Sequence, residues 1–424
     1  MNPEHAWFTH DRFGMFVHWG LYALAARHEW VMSREQIPQG EYDKYADYFE
    51  ADLYDPREWA QAAKNAGMKY VVLTTKHHDG FCLWDSQLTD YKAPKTPYGK
   101  DAIAEYVEAV REAGLKVGFY HSIIDWHHPD FTIDAIHPHR GQPDVAEQNA
   151  KKDMAKYRTY LHGQVRELLS NYGQIDYIFF DFSYPGGRLG SDFPGKGKED
   201  WDSETLMAMV RELQPSIIVN DRLDLPGDLV TPEQYQPAGP MMVDGKPAIW
   251  EACQTLNGSW GYDRDNNDYK SVDLLVRMLV DGVSKDGNLL LNVGPTGRGN
   301  LDPRAIESLA GVGEWMRLNS RSIYGAGHSD HQAPVDCRYT QVGNRLYLHL
   351  FAWPMRHVHL AGLAGKVAYA QFLHDASEIK FTEVDPDQQA QNTTPGGQPA
   401  GTLTLQLPVQ HPAVAVPVVE LFLR

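Results

Sequence analysis

Cysteine is scarce in this chain: Cys82, Cys253 and Cys337 are the only three among 424 residues. Their odd number and wide spacing exclude a disulfide framework and a cysteine-rich zinc site. Positive charge is also short. The 39 Lys and Arg against 56 Asp and Glu give a formal net charge of −17, so neither nucleic acid nor an anionic membrane surface is expected as a partner. No apolar run reaches the roughly 18 residues of a membrane span. The first residues, Met1-Asn-Pro-Glu-His5, lack a basic segment followed by an apolar one, so no signal peptide is seen. The expectation is a cytoplasmic protein, although a removed leader would leave no trace. Internal repeats, a Gly-x-Gly-x-x-Gly loop, a phosphate loop and a nucleophile elbow are missing as well.

What is present is an ordinary globular composition, 42% hydrophobic and 22% charged, with 11 Trp, 22 Tyr and 19 His. Such a chain is long enough for a barrel of roughly 250 residues or more and a smaller domain. Strand patterns at 12–20, 70–75, 116–122, 177–181, 216–222, 247–253 and 288–295 alternate with helical patterns at 56–67, 101–116, 147–172, 203–213, 272–283 and 305–318. Repeated strand–helix units predict a parallel sheet closed as a (β/α)8-like barrel over residues 1–328, with a regular helix or two missing. Past residue 330 only short β-type runs remain, at 345–351, 367–372, 402–407 and 418–423. They predict a C-terminal antiparallel β-sandwich over 329–424, with 388–401 as one long polar loop.

The ends of the barrel strands carry the chemistry-bearing residues. Tyr177-Ile-Phe-Phe180 stops at Asp181, and His18, His77–His78, Tyr120–His121 and Asn220–Asp221–Arg222 stand at equivalent places. A lone strand-end His is more often structural. Five strands ending this way predict one pocket, because barrel strand ends converge. Several His and an Asp could hold zinc or manganese. However, the chain has no His-x-His on the first strand and no His-Glu-x-x-His, and adjacent His77 and His78 would point to opposite sides of an extended strand. The alternative is a glycosidase, which needs two carboxyl groups, with aromatic and hydrogen-bonding side chains for a sugar.

A set of motifs narrows this choice. They are Phe13-Gly-Met-Phe-Val-His-Trp-Gly20, Glu29–Trp30, His77-His-Asp-Gly-Phe81, Asp85-Ser86 with Thr89-Asp90, Gly118-Phe-Tyr120, Phe180–Asp181, Asn220-Asp-Arg222, Trp250–Glu251, Trp260-Gly-Tyr262 and Gly287-Asn-Leu-Leu-Leu-Asn-Val-Gly-Pro295. In order, over about three quarters of the chain, they resemble the α-L-fucosidases of glycoside hydrolase family 29. The resemblance implies an irregular (β/α) barrel and a β-sandwich, and retaining exo-hydrolysis through a covalent fucosyl-enzyme with no metal or organic cofactor. It further implies a fucosylated oligosaccharide or glycoconjugate as substrate. By position, Asp181 matches the nucleophile, and His18, Glu29, Trp30, His77, His78, Tyr120, Phe179, Arg222 and Trp260 match sugar-pocket positions.

Two departures stand beside the nucleophile. The family usually has Trp two residues before it and Gly just after it, where this chain has Phe179 and Phe182. Phe179 packs but cannot donate the hydrogen bond of an indole, which leaves strict identity of the sugar open. For the acid/base, Glu233 in Thr231-Pro-Glu-Gln is favoured over Glu251, since a loop carboxylate can reach over the sugar. Two other readings remain: a metal-dependent barrel hydrolase, and a fucose-binding protein that has lost turnover. A homo-oligomer is compatible with the acidic surface.

Overall fold

The computed structural model describes residues 3–383 and 398–424. Most of the expected 388–401 loop therefore lies outside the described residues. Seven parallel strands form one curled sheet. In chain order the strands here are β1 (Phe13–Val17), β2 (Tyr70–Lys76), β3 (Lys116–Ser122), β4 (Tyr177–Asp181), β5 (Ile218–Val219), an exposed hairpin of β6 (Met242–Val243) and β7 (Lys246–Pro247), then β8 (Trp250–Thr255) and β9 (Gly287–Val293). The sheet order is β5-β4-β3-β2-β1-β9-β8. Between β5 and β8 an irregular extended segment, residues 229–233, closes the ring. It makes isolated parallel bridges from Leu229 to Asn220, Val230 to Trp250 and Glu233 to Cys253. The barrel thus has eight staves, one of them without regular pairing.

The period of two along each strand sorts residues between the barrel interior and the surrounding helices. On β4, Tyr177 and Phe179 join an interior cluster with Phe16, Tyr70, Val72, Tyr120, Cys253 and Leu290. Ile178 and Phe180 belong to the larger core under the helices. Gly14 is needed inside, because a Cβ there would stand 2.2 Å from the Tyr70 ring. The helices begin where the sequence supplies caps. Asp55, Asp101, Asp153, Ser271 and Asp302 each accept a backbone N–H in the first turn of the helices Pro56–Asn65, Ala102–Glu112, Met154–Asn171, Val272–Val283 and Pro303–Asn319.

Some expectations need correction. The helical pattern at 147–172 is two helices, Val145–Asn149 and Met154–Asn171, with the cap Asp153 starting the second. The fifth strand is only two residues long. The sixth runs to Thr255 rather than 253.

Beyond residue 330 the chain forms two antiparallel sheets. Strands β10 (Cys337–Val342), β11 (Arg345–Leu350), β12 (His357–Leu360), β13 (Val367–Phe372), β14 (Phe381–Glu383), β15 (Leu403–Gln406) and β16 (Val418–Leu423) pair in the orders β10-β11-β16-β13 and β12-β15-β14. Leu346, Leu348 and Leu350 face the second sheet. Tyr347, on the opposite face of β11, joins the barrel-side core. Trp315 Nε1 donates to Val416 O at 3.0 Å and Arg321 pairs with buried Glu420 at 2.9 Å, tying the sandwich to the last barrel helix.

Candidate active site

A cavity of about 340 Å³ opens at the C-terminal ends of the barrel strands, lined by His18, Glu29, Trp30, His77, His78, Tyr120, Phe179, Asp181, Glu233 and Trp260 among others. Its position follows from strand parity. Phe16 and His18 share one face of β1 and its extension, and Phe179 and Asp181 share the inner face of β4.

Asp181 is the centre of the site. Tyr120 O–H donates to its Oδ2 at 2.8 Å, and Arg222 donates to its Oδ1 at 3.0 Å. Burial pushes its carboxyl up to about 6 against the opposing pull of Arg222, with the charge of Glu233 adding to the rise. The same guanidinium donates to Glu233 Oε2 at 2.8 Å. Arg222 therefore holds two carboxylates from behind and reaches the cavity through them; it is not itself part of the lining. The Asp181 side chain is 14% exposed and that of Glu233 41%, so one carboxylate sits deep and the other at the mouth.

The histidines are fixed and neutral. Asn292 Nδ2 donates to Trp260 O at 2.7 Å, which turns its Oδ1 toward His18 Nδ1 at 2.7 Å. His18 must then donate from Nδ1, leaving Nε2 as an acceptor. Burial holds its pKa down to about 3. Ser122 Oγ donates to Ile124 O at 2.6 Å, so His78 Nδ1 donates to that hydroxyl at 2.7 Å and His78 Nε2 carries the lone pair. That nitrogen is 3.7 Å from Asp181 Oδ2. Burial also lowers His77 and His78 well below the ordinary range. Both histidines line the cavity, their centroids 4.1 Å apart. The strand ends at Lys76, and a turn closed by Gly80 N–H to His77 O removes the alternation an extended strand would impose.

Among the described residues, His77 Nδ1 and His78 Nε2 are buried without a hydrogen-bond partner. Glu29 is buried and accepts from the backbone N–H of Trp260 at 3.1 Å and of Gly261 at 2.8 Å. Desolvation raises its pKa. Phe179 stacks near-parallel on Tyr120 at 5.8 Å, and Arg222 lies over its ring.

Other residues at the strand ends do different work. His121 turns outward to Thr75 and Trp84. Asn220 latches the backbone of Phe180 with both amide atoms, at 3.0 and 2.9 Å. Asp221 lies in a separate flank cavity of about 720 Å³ beside the β6–β7 hairpin. Glu251 is fully buried low in the barrel, accepting from Tyr177 O–H at 2.9 Å and from Tyr70 O–H. Burial pushes it up to about 8, and it is not in the cavity lining. Phe16, Arg34, Gln234, Cys253 and Gly258, which the sequence does not single out, also line the cavity, as does Phe182, which the sequence marks only as the departure after Asp181. For Phe16 the parity with His18 was the available signal. No three His, Cys, Asp or Glu side chains among the described residues gather as a metal site.

The chain is similar in sequence and in fold to known proteins. A sequence model of the α-L-fucosidase family matches residues 1–321. Tissue α-L-fucosidase of Bos taurus is 31% identical over 382 residues, covering 83% of this chain and 76% of that one. The structure of α-L-fucosidase isoenzyme 1 from Paenibacillus thiaminolyticus is 46% identical with a TM-score of 0.91, over 100% of this chain and 99% of the other. A family 29 α-L-fucosidase from Bacteroides thetaiotaomicron, trapped as a covalent intermediate with 2-fluoro-fucosyl fluoride, is 26% identical with a TM-score of 0.84, over 100% and 97%. The chain belongs to the α-L-fucosidases of glycoside hydrolase family 29.

Proposed function

We propose that this retaining α-L-fucosidase releases terminal α-L-fucose from fucosylated oligosaccharides or glycoconjugates with Asp181 as nucleophile and Glu233 as acid/base. The observation that carries the assignment is the shared guanidinium. Arg222 holds both carboxylates on adjacent nitrogens, at 3.0 and 2.8 Å. That supports a spacing on the scale of the roughly 5–5.5 Å of a retaining pair, rather than the wider gap that admits a water. Asp181, deep and ionised by Arg222 and Tyr120, attacks the anomeric carbon and forms the fucosyl-enzyme. Glu233, at the open mouth, protonates the leaving oxygen and then takes the proton of the incoming water. Glu251 has no place in this scheme; it ties β8 to β2 and β4 from below.

His18 Nε2, Glu29 and the rings of His77 and His78 that line the cavity are the polar groups placed for the sugar hydroxyls. Phe16, Phe179 and Trp260 form an apolar wall that suits the C5 methyl of a 6-deoxy sugar, with Trp30 closing the other side. With Phe in place of an indole, the contact at 179 is packing alone.

The catalytic unit is read as residues 1–328, a boundary supported by its falling between the last helical turn, Ser320–Ser322, and β10. Cys82, Cys253 and Cys337 are unpaired and buried, which supports a reducing compartment such as the cytoplasm. No helix of the described residues is long and apolar enough to cross a membrane.

The test is a screen of an aryl α-L-fucoside against the aryl α-L-galactoside and β-D-galactoside, with and without chelator. Turnover of the fucoside, unchanged by chelator and well above the others, is expected. Preference for either galactoside, or loss with chelator, would overturn the reading.

A further inference from the structure

Phe182 directly follows the proposed nucleophile and has a φ of +94°. That is a backbone region a bulky side chain adopts only when its surroundings impose it, and such positions cluster at functional sites. The consequence of the twist is visible in where the ring goes. It lines the catalytic cavity, 5.3 Å from Trp30 and 5.2 Å from His78, with Tyr184 at 5.4 Å behind it. These three contacts are tilted or edge-on, at 53°, 75° and 66°. None of these aromatic neighbours stacks face to face on Phe182.

The location within the cavity matters as much. The deep wall, with His18, His77, Tyr120 and Phe179, is buried, whereas Trp30, Phe182, Arg34 and Glu233 are partly or fully exposed. A leaving group protonated by Glu233 departs toward that exposed rim.

We infer that Phe182, held at positive φ, is the aromatic platform of the leaving-group subsite and selects fucosides whose aglycone is a ring with an apolar face, such as a pyranose or an aryl group. Trp30 supports the platform from the side. A sugar or aryl ring laid on it buries apolar C–H or ring surface, which a small leaving group such as fluoride cannot do. Phe182 is therefore a specificity-determining residue and takes no proton. This rests on the fucosidase reading above.

The test compares α-L-fucosyl fluoride with a fucosyl disaccharide in wild type, Phe182→Gly and Phe182→Tyr. Glycine adopts a φ of this kind without strain, so the Gly variant keeps the fold. Its ratio of kcat/KM, disaccharide over fluoride, should fall about tenfold, the size of one lost stacking contact, mainly through KM. The Tyr variant, which restores the ring, should keep the wild-type ratio. Equal losses on both substrates would assign Phe182 to holding Asp181 and His78 and overturn the inference, as would an unchanged ratio. A wild-type enzyme inactive on both substrates would instead overturn the fucosidase reading itself.

Discussion

Replacing Arg222 by Gln probes the clamp that organises the site. The side chain is half of two ion pairs, at 3.0 Å to Asp181 and 2.8 Å to Glu233. Burial raises the Asp181 carboxyl to about 6, and Arg222 is the largest influence pulling it down. A hydrogen bond to a charged group contributes about 1.5–3 kcal/mol, and 1.36 kcal/mol is one pH unit. Losing it should move the ionisation of Asp181 up by about one to two units. The sign is that of a carboxylate: the nucleophile is active above its pKa, so the acid limb of kcat/KM moves from about 6 in wild type to about 7–8 in the variant. Protonation alone would then cost about five- to fiftyfold at pH 6 and little at pH 9. A nitrophenyl fucoside is the proper substrate, because its leaving group needs little acid help and the acid limb stands clear. An acid limb that stays in place in Arg222→Gln would refute the electrostatic role of the clamp.

Three further outcomes follow from the geometry. Glu233→Ala should cripple sugar–sugar cleavage far more than fucosylation by a nitrophenyl fucoside, and azide should rescue it to a fucosyl azide of retained configuration; azide rescue in Glu251→Ala alone would reverse the assignment. Glu251→Ala should instead lose stability, about 2–5 kcal/mol by chemical denaturation, because Tyr70 and Tyr177 lose a buried acceptor; an unchanged midpoint would contradict this. Glu251 is raised from 4.5 to about 8, so its protonated form contributes stability fully below pH 4.5 that is lost as pH rises through 8. Glu251→Gln removes that titration and should gain on wild type by up to about 4 kcal/mol between pH 5 and 8; parallel stability curves would count against it.

The strand–helix alternation was legible because buried parallel strands are near-continuous apolar runs, as in Tyr177-Ile-Phe-Phe180. Asp181 was legible for the same reason, as the polar residue that ends such a run. Glu251 was harder to place. The pattern put the end of its strand at 253, but β8 continues to Thr255, so Glu251 lies well below the strand end. There it pairs in register with Asn288, the second residue of β9. The stave at 229–233 left no signature, since single bridges need no periodic run. It nevertheless places Glu233 beside Cys253. His77 and His78 share the pocket because the strand ends at Lys76 and a turn from His77 to Gly80 follows, an event that strand periodicity cannot register. The left-handed backbone of Phe182 is equally silent in sequence, because a phenylalanine does not announce positive φ.

If Asp181 is the nucleophile, it becomes covalently fucosylated during turnover. The direct measurement is incubation of wild type with 2-fluoro-fucosyl fluoride, followed by proteolysis and mass spectrometry of the labelled peptide. One 2-fluoro-fucosyl ester on Asp181, abolished in Asp181→Asn, is expected. A label on Glu233 or Glu251, or fucose released with inverted configuration and no label, would contradict it.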